Sequence, residues 1–403
     1  MKIASILPYK ENYSSKNAGA VSLWVSDFMK YSSYKKSITV FGHTNKTNYL
    51  SKNYINISLK SINSKISSST KEYTNNIISR LTKNHFDIVE IHNRPIMVED
   101  FVKNINSKII LYLHNDPKTM KGSKTKSEKL FLLENVDKIV FISDWVKKQF
   151  FSNLEFTDHN KTEVIYHSID PIKKISKKKK QIIFVGKLNE AKGYDLFCDA
   201  VDKVLKKYDE WKAFSIGDEK RFQEYYTNKK QINLGLLDNK KVLKIFQESE
   251  IAVIPSRWDE PFGRTALESS SRGCATIISN KGGLTETTKD AIVLKKLDSS
   301  NIEKEILKLI KNNNLRKRLQ ISGIKNLKHV LKLNSNKIDF MRSALFPFSN
   351  FNTNNGKLRI LNIYNLAQKL NHRIYNLSLG KKFTNGFIRN GHDVIEISDR
   401  DYI

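Results

Sequence analysis

Short apolar runs that read as buried strands alternate with amphipathic helical stretches along most of this chain. That alternation dictates an α/β fold built on mostly parallel sheets covered on both faces. In the first part the strand-like runs are Lys2–Leu7, Ser37–Phe41, Asp87–Ile91, Lys108–Leu113, Lys138–Ile142 and Glu163–Tyr166. The loop Asn12–Ala20 opens an amphipathic helix that runs to about Tyr31. The pattern predicts one Rossmann-like, doubly wound domain over residues 1–168. A proline-started basic stretch, Pro171–Gln181, then reads as a linker, placed at 169–181. After it the rhythm restarts, with runs at Ile182–Gly186, Ala213–Gly217, Ile232–Gly235, Ile251–Pro255 and Ala275–Ser279. Helices from Asn301 to about Leu345 close a second Rossmann-like domain, 182–345. Two such halves leave a cleft at the carboxyl ends of their strands, where ligands of these sheets bind.

The tail, residues 357–403, repeats the pattern once more: strand-like Leu358–Asn362, helical Lys381–Asn390, then the strand-like HDVIEISD. It resembles the opening of a further α/β domain.

Composition removes several classes of function. In 403 residues there are 2 cysteines, so neither a disulfide framework nor a cysteine zinc site organises the chain. No apolar run approaches the roughly 18 residues that a membrane span needs. The opening MKIASILPYK has too short an apolar stretch for a secretory signal, and the cytoplasm is the expected setting. The formal net charge is +29, carried mostly by lysines spread over helix faces. Sequence-specific nucleic-acid readers lean on arginine forks and recognisable motifs, so nucleic acid is not the expected partner. Lysines spread in this way are first accounted for by compositional bias and solubility, with attraction to an anionic membrane surface as the second reading.

Four segments carry chemistry. The segment PSRWDEPFGRTALESSSRG, Pro255–Gly273, follows a strand and should start a helix near Gly263. A glycine at a helix start lets backbone N–H groups approach a phosphate, whose charge the helix dipole favours. Glu260 lies in the loop and Glu268 about one turn into the helix, and carboxylates accept hydrogen bonds from sugar or ribose hydroxyls. Acids near a helix start are also common caps, so the pair is weak alone. The segment IIFVGKLNEAKGYDLF sets Gly186, Lys187 and Lys192 just past a strand end, where ammonium groups can meet a diphosphate. SNKGGLTET offers Gly282, Gly283 and Glu286 after another strand. LYLHNDPKTMKG puts His114 and Asn115 at a strand end of the first domain.

In this order, the segments resemble the retaining nucleotide-sugar glycosyltransferases of family 4, which have the two-Rossmann B-type fold. The resemblance covers about residues 1–345. Its hallmark is a Glu, seven residues and a Glu, here Glu260-PFGRTAL-Glu268. GKLNEAKG, KGGLTE, VIYHSID and VDKIVFIS match around it. The run VEIHNRP with LYLHNDPKTMKGSKT looks like a bacterial subgroup associated with lipopolysaccharide and other surface glycans. The resemblance implies transfer of a sugar from a nucleotide-sugar, UDP- or GDP-linked, to a glycan or lipid-linked acceptor, with retention and no cofactor. Lysines and a helix start can meet the diphosphate charge, and the only Asp-x-Asp string, Asp399-Arg-Asp401, lies in the tail, so no metal is expected. It implies work in the cytoplasm or at the inner face of the cytoplasmic membrane. Glu260, with the amides around Phe262 and Gly263, would hold the donor sugar, and Glu268 the ribose. Lys187 and Lys192 would neutralise the diphosphate, with Gly19 closing from the other domain and His114 near the anomeric carbon. Gly186, Arg264, Gly282, Gly283 and Glu286 would complete the donor site.

This chain departs from the family pattern in three places. Lys187 stands where Arg is usual and loses the bidentate fork, His167 stands where Asn is usual, and TETTKDAIVL lacks the usual glycine before its strand. The other readings are a different enzyme of the same fold, such as a nucleotide-sugar epimerase or a phosphorylase, and a non-catalytic anion-binding protein.

Overall fold

The structure is a computed structural model and describes residues 1–15, 18–45, 48–59, 69–172, 175–219, 228–346, 358–364 and 379–398. Met1–Leu345 form one compact unit and Phe346–Ile403 a second. The first unit holds two sheets. One is built from β1 (Ile3–Ile6), β2 (Ile38–Gly42), β3 (Tyr54–Asn56), β4 (Ile88–His92), β5 (Lys108–Leu113), β6 (Lys138–Phe141) and β7 (Thr162–Val164). Its order is β3-β2-β1-β4-β5-β6-β7, every pairing parallel. The helices between are α1 (Ala20–Tyr31), α2 (Ser69–Leu81), α3 (Val98–Asn104), α4 (Lys126–Asn135) and α5 (Asp144–Phe151).

The second sheet uses β8 (Lys179–Val185), β9 (Lys212–Ile216), β10 (Gln231–Asn233), β11 (Ser249–Ile254), β12 (Ala275–Ile278) and β13 (Ala291–Val293). It runs β10-β9-β8-β11-β12-β13, again parallel. Around it lie α6 (Tyr194–Lys207), α7 (Asn239–Glu248), α8 (Arg264–Ser271), α9 (Ser299–Lys311), α10 (Asn313–Lys325) and α11 (Leu331–Ala344). Side chains of a strand point alternately to opposite faces, so a strand buried on both sides must be apolar throughout. Ile182, Phe184, Ile251 and Val253 enter one core with α6 and α9, while Ile183, Ala252 and Ile254 enter another with α7 and α8. Each Val, Ile or Phe among them contributes about 1.5–3 kcal/mol on burial. Both sheets are doubly wound, as the sequence predicts.

The structure corrects four details. The edge strand β3 escapes sequence reading, because a three-residue edge segment with no fully buried side chain leaves no apolar run. The linker ends earlier than Gln181, since Lys179–Gln181 already belong to β8. Lys179 and Lys180 are exposed there, and an overhanging strand end tolerates charge. The region after Asn301 divides into three helices. The last of them, α11, packs on the first lobe and not only on the second. Ser335 Oγ donates to the Phe28 carbonyl at 3.1 Å, and Arg342 forms a two-point ion pair with buried Glu90, both bonds 2.9 Å.

No described helix is long and apolar enough to cross a membrane. In the second unit β14 (Arg359–Tyr364) and β15 (Asp393–Ser398) pair in parallel, with α12 (Leu379–Arg389) between them in sequence. Asn362 Nδ2 donates to Thr384 Oγ1 at 2.8 Å, tying strand to helix. The tail is therefore strand–helix–strand, as expected. Its Asp399 and Asp401 lie outside the described residues.

Candidate functional site

The carboxyl ends of the two sheets face each other across a cavity of about 290 Å³. The second lobe supplies most of its wall: Phe184, Val185 and Gly186 at the end of β8, Lys192, then Ile254 to Thr265 around the β11–α8 turn, represented by Ser256, Trp258, Glu260, Pro261, Phe262, Gly263 and Arg264. Gly263 is the residue before α8, at φ +95, and a Cβ there would meet Leu284 Cδ1 at 2.3 Å. Only glycine takes this left-handed backbone cheaply. No side chain caps α8, so its first amides and its positive dipole end are left toward the cavity. Beside them Lys192 Nζ donates to Glu260 Oε1 at 2.6 Å, with Glu260 largely buried.

The opposite wall is neutral. It comprises Ala20, His114, Asn115, Ile142 and His167. His114 follows β5, and its backbone N–H donates to Asn93 Oδ1 at 3.1 Å. Asn93 can do this because it sits at φ +56, where Asn is among the few tolerated side chains. Trp24 of α1 lies edge-on to the His114 ring at 5.4 Å. His167 stacks on Phe262 at 5.5 Å, and its ring is 6.0 Å from that of His114. Burial pushes the pKa of both imidazoles well below the ordinary value, assisted at His167 by the nearby Arg264 and at His114 by His92. Both are therefore neutral bases near pH 7. Nδ1 of each is buried without a partner among the described residues.

Of the residues singled out from sequence, His114, Gly186, Lys192, Glu260, Phe262, Gly263 and Arg264 come together on this cavity. The others do not line it. Lys187 is exposed and not among the lining residues. Glu268 is buried behind Arg264: its Oε1 accepts from Arg264 Nε at 2.7 Å and from Asn239 Nδ2 at 2.9 Å. Arg264 reaches on to Asp27 of α1 at 2.7 Å, an ion pair between the lobes. Gly282 and Gly283 brace the turn. The Gly283 amide donates to the Glu260 carbonyl at 2.6 Å, and a Cβ at Gly282 would meet that oxygen at 2.3 Å.

Two more of these residues, Glu286 and Gly19, are not among the lining residues. Glu286 turns to the first lobe, where its carboxylate accepts from the Asp144 and Trp145 amides at the start of α5, both at 2.8 Å. Gly19 precedes α1, whose start is held by Glu11: Oε1 accepts from the Ser22 amide at 3.0 Å. Sequence reading did not select Glu11, Asp27, His92 or Trp258. Glu11 and Asp27 carry no motif of their own, whereas His92 was visible in VEIHNRP, one strand over from His114. Among the described residues no group of three or more His, Cys, Asp or Glu is arranged to hold a metal ion.

Residues 167–326 match the family described as Glycosyl transferases group 1. They form a group 1 glycosyltransferase domain. The match begins at His167 itself. Beyond it, the chain is 23% identical over 331 residues to the spore coat protein SA of Bacillus subtilis (strain 168), covering 72% of this chain and 84% of that one. It is 25% identical over 244 residues to an uncharacterized 41.2 kDa protein in the cps region of Klebsiella pneumoniae, covering 54% and 66%. Among solved structures, Anabaena Alr3699/HepE in complex with UDP and glucose superposes with a TM-score of 0.66 at 13% identity, over 85% of this chain and 100% of that one. The lipopolysaccharide outer core galactosyltransferase WaaB does so at 0.60 and 16%, over 85% and 100%. At these identities the superpositions establish the fold, the two-Rossmann B-type arrangement. The group 1 domain is thus the second of two facing lobes.

Proposed function

We propose that this glycosyltransferase takes a UDP- or GDP-linked sugar as donor and passes the sugar, with retention, to a glycan or lipid-linked acceptor of a bacterial surface polysaccharide. The observation that carries the reading is the pairing of walls: an uncapped helix start beside the Lys192–Glu260 pair, facing a neutral imidazole whose Nδ1 has no partner among the described residues. A departing nucleoside diphosphate gathers negative charge, and fixed donors aimed at that charge are the largest catalytic term such a site can offer. The α8 amides supply them, Lys192 adds an ammonium, and Lys187 lies on the same turn. Glu260 orients Lys192 and presents its other oxygen to the sugar hydroxyls. His114 contacts the sugar from the opposite wall. Glu268 reads the ribose, and in doing so shares its carboxylate with Arg264.

HepE is described with UDP and glucose, and the Klebsiella relative lies in a cps region. Both support the donor and the polysaccharide setting. The net charge of +29 supports work at an anionic membrane surface from the cytoplasmic side. The experiment is a thermal-shift screen against UDP-, GDP- and ADP-sugars, followed by release of labelled sugar from the best ligand. Stabilisation by one nucleotide-sugar series, with turnover abolished in Glu260→Gln, is the expected result. No stabilisation by any of them, with steep salt-sensitive binding to anionic vesicles unaffected by that change, would leave only an anion-binding protein.

A further inference from the structure

Behind His114 lies a second histidine that the donor site does not use. His92, at the end of β4, is fully buried, its ring stacked on Tyr112 at 4.6 Å and packed on Trp24 at 5.5 Å. Its Nδ1 is 3.1 Å from His114 Nε2, and its Nε2 is 3.0 Å from Ser5 Oγ on β1. Three adjacent strands, β1, β4 and β5, thus line up a hydroxyl and two imidazoles, ending at His114, a lining residue of the cavity whose Nδ1 is buried without a partner among the described residues.

A neutral imidazole carries one ring proton, so each ring must donate at one nitrogen and accept at the other. The row therefore has two self-consistent directions. In one, Ser5 accepts from His92, His92 accepts from His114, and the cavity sees a lone pair. In the other, Ser5 donates to His92 Nε2, His92 Nδ1–H donates to His114 Nε2, and the cavity sees an N–H. Ser5 decides between them. It is 1% exposed, and its hydroxyl oxygen has no second partner among the described residues. The first direction strands a buried O–H donor, whereas the second leaves only unused lone pairs on oxygen, the cheaper deficit.

We infer that Ser5 and His92 are positioning residues that fix His114 as its Nδ1–H tautomer, making it a hydrogen-bond donor toward a ligand oxygen in the cavity. The inference rests on the donor-site reading for its consequence, though the proton arrangement stands without it. Burial reinforces the assignment, since His92 is pushed down to about 3 and cannot carry a second proton at neutral pH. A donor here suits a phosphate oxygen or a lone pair of a sugar oxygen, whereas a lone pair would repel the phosphate and could only accept from a sugar hydroxyl.

Two measurements on the full chain decide the matter. Nitrogen-15 spectra of histidine-labelled protein, assigned with His114→Gln and His92→Phe, should show both rings protonated at Nδ1 at pH 7.5. Ser5→Ala should mix the His114 tautomers, and Ser5→Thr, which keeps the hydroxyl, should restore a single one. On turnover, Ser5→Ala should lower kcat about three- to tenfold, as expected for one neutral hydrogen bond, with the affinity for bare nucleoside diphosphate unchanged. His114 protonated at Nε2, or a Ser5→Ala spectrum identical to that of the parent, would overturn the inference. If the tautomers come out as stated but His114→Ala leaves kcat untouched, the donor-site reading has failed, and with it the proposed use of the relay.

Discussion

The two walls of the cavity solve opposite electrostatic problems. On the second-lobe wall the charged groups are paired: Lys192 with Glu260, and Arg264 with both Glu268 and Asp27. On the first-lobe wall the imidazoles of His114 and His167 are kept neutral by burial, and each has a nitrogen without a partner among the described residues. Under the proposed function, the diphosphate meets the positive groups of the second-lobe wall, while the sugar lies between Glu260 and the neutral imidazoles.

The sharpest way to break this comparison is at the charged wall. Glu260→Gln removes the partner of Lys192 and the acceptor for sugar hydroxyls, and should lower turnover on the order of 10²- to 10³-fold, comparable to loss of a preorganised transition-state contact. Affinity for the bare nucleoside diphosphate, assayed by calorimetry, should change little. Next comes Glu268→Gln. It loses charge-assisted bonds worth roughly 1.5–3 kcal/mol, so donor affinity should fall roughly 10- to 150-fold with the fold retained. A fall in melting temperature without loss of affinity would make Glu268 a brace for Arg264 instead.

Sequence reading located the charged wall far better than the neutral one. Glu260, Gly263 and Lys192 lie in contiguous motifs whose spacing is set by one strand–loop–helix turn, so a single string of residues encodes their geometry. The neutral wall and the residues backing it are assembled from β1, β4, the end of β5 and the segment after β7. Ser5, His92, His114 and His167 come from four places, and no spacing rule joins them. The parallel sheets were legible from continuous apolar runs such as Ile182–Val185, which only a strand covered on both faces requires. Edge strands such as Tyr54–Asn56 were not, because their side chains face solvent. Nor could the sequence reveal that Glu286 turns away from the cavity: the α5 amides that hold it lie far away in the chain.

The neutral wall can be tested by pH. His92 has a folded pKa near 3, and those of His114 and His167 are lowered too, whereas the unfolded chain titrates its histidines near 6.5. Below about pH 6.5 the unfolded state therefore binds protons that the folded state refuses. Stability falls as the pH drops, by up to about 1.4 kcal/mol per pH unit for each such histidine. Denaturant unfolding between pH 7.5 and 5 should show this slope, and His92→Phe should reduce it by one histidine's share. A flat profile would mean that the imidazoles are not held neutral.

The smallest expected effect lies between the walls. Asp27→Asn weakens the ion pair to Arg264, which keeps Glu268, so it should cost about 1 kcal/mol or less of stability. The Michaelis constant for the donor should rise only a few-fold. An effect as large as that of Glu268→Gln would show that lobe contact, not the second lobe alone, sets donor affinity.

The most direct test of the division between the walls is one calorimetric comparison: the affinities of the nucleotide-sugar and of its bare nucleoside diphosphate, measured on the parent, Glu260→Gln and His114→Ala. If the charged floor holds the diphosphate while Glu260 and His114 hold the sugar, both variants lose the extra affinity that the sugar confers and keep that for the diphosphate. Equal losses on the two ligands, or none on either, would contradict the account.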